Sequence, residues 1–471
     1  MRYFCYHGHF YQPPREDPFT GVLPKEFGAD PYHDWNERIT AECYRPLAEL
    51  GVFDLISFNL GPTLAAWMEV NAPDVYQRIL QADRNHAQRQ GVGNAIAQVY
   101  NHMLMPLATR RDKETQVAWG LADFRHRYGR VAEGMWLAEC AVDLETLTVM
   151  QEQGVRFTIL APWQAEHSAV DSSEPQLIAL PNGKQMTVFF FDEGLSRSTN
   201  HVPRISEDVQ EYAEVAMQIS TKWDKFKRDE DQLVLVATDG EYFGHHYKGR
   251  DLFMSNLLHT VAPANGWQVT SLSSYLRDHP AVNTVRLAER TAWSCYHGID
   301  RWQKECGCYP GLGEWKAPFR RALDNLAAAI DDYFEVAGGE LLRDPWAARN
   351  DYIQVRQGYE PVAQLLDRHA SHQLDDAEQA RAAAFLEAQY YRLLMYTSCA
   401  FFFEEFARIE PSNAIAYAAR ALDYHKAATG VDLQENFLAE LRRIRGRASE
   451  MNGEQIYRYL ARKQPVPRHR D

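Results

Sequence analysis

Leu233-Val234-Leu235-Val236-Ala237 runs directly into Thr238-Asp239-Gly240-Glu241-Tyr242-Phe243-Gly244-His245-His246. Five consecutive apolar residues lack the alternation of a half-exposed strand, so both faces of the strand they form must be covered, as in a parallel sheet or barrel. The polar residues that follow at once mark the strand's carboxyl end. The same theme, a short β-prone apolar run followed by a polar or helical stretch, recurs at residues 3–7, 53–59, 92–99, 134–138, 157–161 and 188–191. This alternation over residues 1–290 predicts an α/β fold with a β/α barrel. Residues 176–180 and 185–191 flank Pro181-Asn182-Gly183, and Asn-Gly between two β-prone runs predicts a hairpin that interrupts the alternation.

From about Trp315 the texture turns helical. Phe319, Leu323, Leu326, Ile330 and Phe334 recur at helical spacing and share one face, and Gly338-Gly339 is expected to end that helix. Residues 377–406 and 413–429 continue in the same manner, the second opened by Pro411-Ser412 and closed by Gly430. The expected organisation is a catalytic barrel over residues 1–290 and a helical domain over residues 291–471, its apolar faces docked on the barrel.

Of the 471 residues 45% are apolar and the formal net charge is -14, which suits a large core and disfavours a nucleic-acid backbone or an anionic membrane as partner. Neutral substrates fit better, and 11 Trp and 24 Tyr supply flat rings on which sugars stack. The seven cysteines, at irregular spacing, outline no disulfide framework, and residues 1–9 lack the pattern of a secretion signal. A cytoplasmic location is expected. The most apolar run, residues 393–403, is far shorter than the roughly 20 residues a bilayer span requires and reads as a buried helix.

The residues with chemical potential stand where the apolar runs end, the face on which β/α barrels carry their active sites. The first run ends in His7-Gly8-His9-Phe10-Tyr11-Gln12-Pro13-Pro14, the fourth in Trp136-Leu137-Ala138-Glu139-Cys140 and the seventh in Thr238-Asp239-Gly240-Glu241. Two carboxylates from different strands can therefore converge. Glycoside cleavage needs such a pair, one acid to protonate the departing oxygen and one carboxylate to stabilise or attack the oxocarbenium centre. Glu139 and Asp239 are the candidates. Glu241, two residues on and on the same strand face, competes with Asp239, and spacing alone does not choose between them.

These blocks resemble family 57 of the glycoside hydrolases, whose members act mainly on α-glucans through a retaining mechanism. His7-Gly8-His9 with Tyr11-Gln12-Pro13 is similar to that family's His-rich first motif, Trp136-Leu137-Ala138-Glu139 to its nucleophile motif, and Asp239-Gly240-Glu241-Tyr242-Phe243-Gly244 to its acid/base motif. Trp293-Ser294-Cys295-Tyr296-His297-Gly298 with Trp302 resembles its last motif. The resemblance implies an irregular seven-stranded β/α barrel followed by helices, Glu139 as nucleophile, Asp239 as acid/base and a carbohydrate substrate, with no metal or cofactor. It further implies a substrate-binding shell of His7, His9, His102, Trp136, Glu241, His245, Trp293 and Trp302, with His9, His102, Trp136, Trp293 and Trp302 lining one cleft with the carboxylates. One block departs from the pattern. Gly93-Asn94-Ala95-Ile96 puts Ile96 where the family carries an acid, which leaves the sugar open and makes Asn101 and His102 candidate polar contacts. Loops such as residues 13–40 and 197–204 would govern hydrolysis against transfer.

Two other readings compete. His7 and His9, with Asp239 and His245 or His246, offer zinc ligands of the kind found in barrel deacetylases and some mannosidases. A non-catalytic carbohydrate-binding protein is the other, although binding alone requires neither carboxylate. Cys295, Cys306 and Cys308 lack the paired spacing of common zinc sites and are expected to be reduced, packed thiols.

Overall fold

The computed structural model describes residues 1–166, 170–447 and 449–462. Among the described residues ten strands form in order: β1 (Arg2–Phe10), β2 (Ser57–Leu60), β3 (Ala97–Gln98), β4 (Met135–Trp136), β5 (Phe157–Leu160), β6 (Gln176–Ala179), β7 (Gln185–Phe190), β8 (Gln232–Asp239), β9 (Trp267–Val269) and β10 (Asn283–Val285). β1 lies between β8 on one side and β2 and β9 on the other, all parallel to it. β3 pairs with β4 and β5 with β7, again in parallel. Single parallel bridges, Phe58–Ala95 and Gly134–Phe157, connect β2 to the approach of β3 and the approach of β4 to β5. Between β7 and β8 the Asp192 amide donates to the Leu235 carbonyl at 2.7 Å.

The run that opened the sequence reading behaves as its apolarity requires: Leu233 to Ala237 are all buried, as are Phe4, Cys5 and Tyr6 on the adjoining β1. The expected hairpin is present as the antiparallel pair β6–β7, with Gly183 in the left-handed region at φ 78°. β9 and β10 had no counterpart in the sequence reading, because three residues are too few for a pattern.

The chain divides into two compact units. One comprises Met1–Gln12, Lys25–Tyr100 and Phe124–Trp293; the other comprises Pro13–Pro24, Asn101–Asp123 and Ser294–Asp471. The division differs from a single cut after residue 290, since two stretches of the N-terminal half belong with the helices.

In the second unit the long helices are Lys316–Leu341, Asp376–Leu394 and Ile409–Thr429. Phe319, Leu323, Leu326, Ile330 and Phe334 are buried along one face, as their spacing predicts. The first helix does not stop at Gly338-Gly339: Gly338 lies against the Phe334 ring and Leu341 is buried one turn on, and that burial outweighs the roughly 1 kcal/mol a mid-helix glycine costs. Residues 377–406 are not one helix either. After Leu394 the chain leaves the helix to pair Thr397 with Met103, and a short helix, Cys399–Phe402, follows. Gly430 ends the third helix at φ 75°, as expected. Asp112, from the inserted segment, is buried between Arg349 at 3.0 Å and Arg392 at 2.5 Å, and Arg392 also meets Asp331 at 2.5 Å. Among the described residues no helix is long and apolar enough to cross a membrane.

Candidate active site

Strand register builds the site. In the parallel pairs, His9 of β1 stands beside Asn59 of β2 on one flank and beside Asp239 of β8 on the other, while His7 stands between Ser57 and Ala237. Residues side by side in register point to the same sheet face, so Asn59, His9 and Asp239 form one row at the carboxyl ends of three strands. Asn59 knits the row together: its Nδ2 donates to His9 Nδ1 at 2.9 Å and to Gln98 Oε1 at 2.8 Å, and its Oδ1 lies 3.2 Å from His7 Nε2. His7 Nδ1 is 3.1 Å from Ser57 Oγ. Burial pushes both imidazoles down to about 3, so they are neutral at pH 7. A neutral His9 that accepts at Nδ1 carries its proton on Nε2, a hydrogen-bond donor of the kind sugar hydroxyls accept. The Trp136 ring lies 5.1 Å from His7 and 4.8 Å from His9, nearly parallel to both, and Trp293 meets it edge-on at 5.0 Å.

Glu139 follows β4 in an unusual conformation. Its backbone is left-handed, φ 57° and ψ 21°, and Cys140 follows at φ 47°. Such a conformation costs a side-chain-bearing residue of order 1–3 kcal/mol and persists only where the surroundings enforce it. Here the Trp293 amide donates to the Glu139 carbonyl at 2.9 Å, and Gln164 Nε2 donates to the Cys140 carbonyl at 2.7 Å. The same Trp293 fixes the side chain, its Nε1 donating to Glu139 Oε2 at 3.0 Å.

Asp239 ends β8, and the short 3-10 turn Gly240–Tyr242 carries Glu241. That turn lies flat against β1: a Cβ on Gly240 would stand 2.2 Å from the Phe10 ring. Glu241 is buried and accepts from the Tyr44 hydroxyl at 2.5 Å, with Gln12 Nε2 at 3.5 Å from the same oxygen. Asp239 is exposed by its surface area although protein atoms crowd around its carboxyl group. Its pKa is pushed up to about 8, first by burial and then by the charges of Glu241 and Glu139. Burial raises Glu241 to about 7, with the Tyr44 hydrogen bond working against it. A carboxyl group with a raised pKa thus feels the charge of a second one held by an indole N–H, and unequal surroundings of this kind can give like groups unlike roles.

Glu139, Asp239, Glu241, His7, His9, Trp136 and Trp293 all lie in the first unit, joined by these contacts. His245 is elsewhere engaged: its Nδ1 is 2.6 Å from Glu42 Oε2 and its ring meets Trp35 edge-on. His102 and Trp302 belong to the second unit, His102 with Nδ1 2.6 Å from Ser398 Oγ and Trp302 fully buried beside Phe402. Ile96 is buried, and Gln98, two residues on, is the residue of β3 that reaches Asn59. Sequence reasoning missed Asn59, Gln98 and Tyr44. Asn59 and Gln98 sit at the ends of apolar runs, so the criterion that found Asp239 could have found them; Tyr44 carries no such signal. As for metals, the His7 and His9 nitrogens named above face Ser57 and Asn59. Among the described residues, the one group of His, Cys, Asp or Glu side chains gathered closely enough to hold an ion is Cys295, His297, Cys306 and Cys308 in the second unit.

The profile of glycosyl hydrolase family 57 matches residues 38–288, and that of a domain of unknown function (DUF3536) matches residues 313–470. No curated protein matches the sequence. Among solved structures, an exo-type maltose-forming amylase from Pyrococcus sp. ST04 superposes with a TM-score of 0.76 at 16% identity, over 98% of this chain and 88% of that one. A branching enzyme from Pyrococcus horikoshii gives 0.62 at 15% identity, over 93% and 94%. A 4-alpha-glucanotransferase from Thermococcus litoralis gives 0.57 at 18%, over 90% and 60%. Identities this low speak for the fold alone, a mixed α/β fold with a helical C-terminal region. With the profile spanning more than half of the sequence, the chain belongs to glycosyl hydrolase family 57.

Proposed function

We propose that the chain is a retaining glycoside hydrolase or transglycosidase acting on α-linked glucans or oligosaccharides, with Glu139 as nucleophile and Asp239 as general acid/base. The observation that carries this reading is the carboxyl pair itself, Asp239 raised to about 8 by burial and by the charges of Glu241 and Glu139, and Glu139 held by the Trp293 indole N–H. Glu139 attacks the anomeric carbon, the bond from that carbon to the leaving oxygen breaks, and Asp239 gives its proton to that oxygen. Asp239, now ionised, then takes a proton from water or from a sugar hydroxyl, whose oxygen displaces Glu139. Glu241 supports the cycle through its charge, which keeps the proton on Asp239. His7, His9, Trp136 and Trp293 supply hydrogen-bonding groups and flat apolar surface for the sugar.

The strands β1, β2, β3, β4, β5 and β7, linked in that order by parallel pairs and bridges, with β8 paired to β1 and reached from the end of β7 by one hydrogen bond, support an irregular seven-stranded barrel as the scaffold. Similarity to an amylase, a branching enzyme and a glucanotransferase supports an α-glucan as substrate. The test has two parts. Maltooligosaccharides, an aryl α-glucoside and an aryl α-galactoside are incubated with the protein and the products followed by mass and linkage. Longer chains signify transfer and shorter ones hydrolysis; no turnover of any α-linked substrate sinks the proposal. A fluorinated glycosyl fluoride that stalls the covalent intermediate should then label the peptide bearing Glu139, and a label on Glu241 or a first product of inverted configuration refutes the assignment.

A further inference from the structure

The second unit holds a cluster that the carboxyl chemistry does not use. Cys295 Sγ lies 3.4 Å from Cys306 Sγ and 3.8 Å from Cys308 Sγ, and His297 Nδ1 lies 3.2, 3.5 and 3.8 Å from Cys306, Cys308 and Cys295 in turn. All four donor atoms fall within 4.8 Å of one another. The sulfurs are too far apart for disulfide bonds, which need about 2.05 Å. A zinc ion bound tetrahedrally at about 2.3 Å from sulfur and about 2.0–2.1 Å from nitrogen sets S–S edges of about 3.8 Å and S–N edges of about 3.6 Å. The five distances depart from those edges by no more than about 0.4 Å.

We propose that Cys295, His297, Cys306 and Cys308 form a structural zinc site. The sequence reading set the three cysteines aside because it sought Cys-x-x-Cys pairs and did not include His297. The fold instead brings together two pairs spaced by one residue, Cys295-Tyr296-His297 and Cys306-Gly307-Cys308. Gly307 suits this arrangement: a Cβ there would stand 3.0 Å from His297 Nε2 and press on the ring whose Nδ1 faces the thiols. Three thiolates and one imidazole complete a tetrahedron and leave no open position, which makes the site structural rather than catalytic. Binding releases the three thiol protons and leaves one net negative charge on the complex. The Arg301 guanidinium lies close enough to favour the Cys308 thiolate. The need for such a tie is visible in the chain around it. Between Val285 and Lys316 the only helical or strand element is the short 3-10 turn Asp300–Trp302, and a metal cross-link supplies the order that secondary structure does not.

The test is metal analysis of the full chain, purified without chelator and also refolded with zinc, by mass spectrometry of the elements. One zinc per chain is expected. Replacement by cobalt should give the intense absorption of tetrahedral thiolate coordination, a readout that needs no variant. Cys308 is the exposed thiol of the set, so Cys308→Ser should keep the far-ultraviolet dichroism of the parent while binding zinc at least about 100-fold more weakly. A chain that holds no zinc after refolding with it overturns the proposal. So does a cobalt spectrum without thiolate character, or zinc that survives Cys308→Ser with undiminished affinity and is lost with His7→Ala.

Discussion

Asp239 and Glu139 carry the same functional group in different surroundings, and the difference has measurable consequences. Asp239→Asn should lower kcat/KM on glucan by about 10²–10⁴-fold, the usual worth of a positioned acid, yet spare an α-glucosyl fluoride, whose leaving group needs no proton. Steady-state kinetics on the two substrates separate the outcomes. Because the acid works only while protonated, kcat/KM should fall as pH rises through about 8. Glu241→Gln removes one of the charges that raise Asp239, so that limb of the pH profile should move to lower pH. The same shift bears on stability. Asp239 is raised from an ordinary 3.8 to about 8, so its effect on stability is fully favourable below about pH 4, where folded and unfolded chains are both protonated, and is lost progressively up to about pH 8, as only the unfolded chain ionises. Asp239→Asn should therefore melt higher than the parent at pH 8, with the gap closing toward pH 4, as thermal scans would register.

The turn after β8 shows how tightly an element can be specified. Gly244 sits at φ 133°, and a Cβ there would stand 2.4 Å from the backbone carbonyl of Glu42, which cannot swing aside as a side chain would. Gly244→Ala should cost about 2–3 kcal/mol and displace the turn bearing Glu241, with activity falling alongside stability. Gly183→Ala, also at positive φ but with nothing within 4 Å, should cost only about 1–2 kcal/mol and leave activity intact. Denaturant melts and kinetics on both variants check the contrast. The strands of this fold were legible because a run such as residues 233–237 is a local signal, and so was the placement of Glu139 and Asp239 at strand ends. What was not legible is non-local. The row Asn59–His9–Asp239 depends on how three strands slide past one another, and Tyr44 meets Glu241 across 197 residues. Gly338-Gly339 misled for a related reason: the burial of Leu341 is decided by helices elsewhere in the chain. His102, His245 and Trp302 meet Ser398, Glu42 and Phe402, and the contacts of His102 and His245 span 296 and 203 residues, which no local pattern could foretell.

The chain's two units are interleaved along the sequence, and the second is incomplete without residues 101–123. Asp112 is the reason that matters energetically, since it is the buried carboxylate between Arg349 and Arg392. Asp112→Ala leaves two buried guanidinium groups short of a partner and should cost about 3–5 kcal/mol. A fragment of residues 294–471 lacks that carboxylate altogether and should show no cooperative thermal transition by circular dichroism, whereas the full chain should.

Asp112 also sets a clock during synthesis. Its partners are 237 and 280 residues further along, so at about 5–20 residues per second the carboxylate leaves the ribosome roughly 10–60 s before the arginines it will bury against. For that interval a segment destined for the interior of its unit waits in water, its apolar neighbours Val117 and Trp119 open to any passing surface. The growing chain thus passes through a period in which its own middle is exposed to holding chaperones and to proteases, and the helices at the far end are what bring that period to a close.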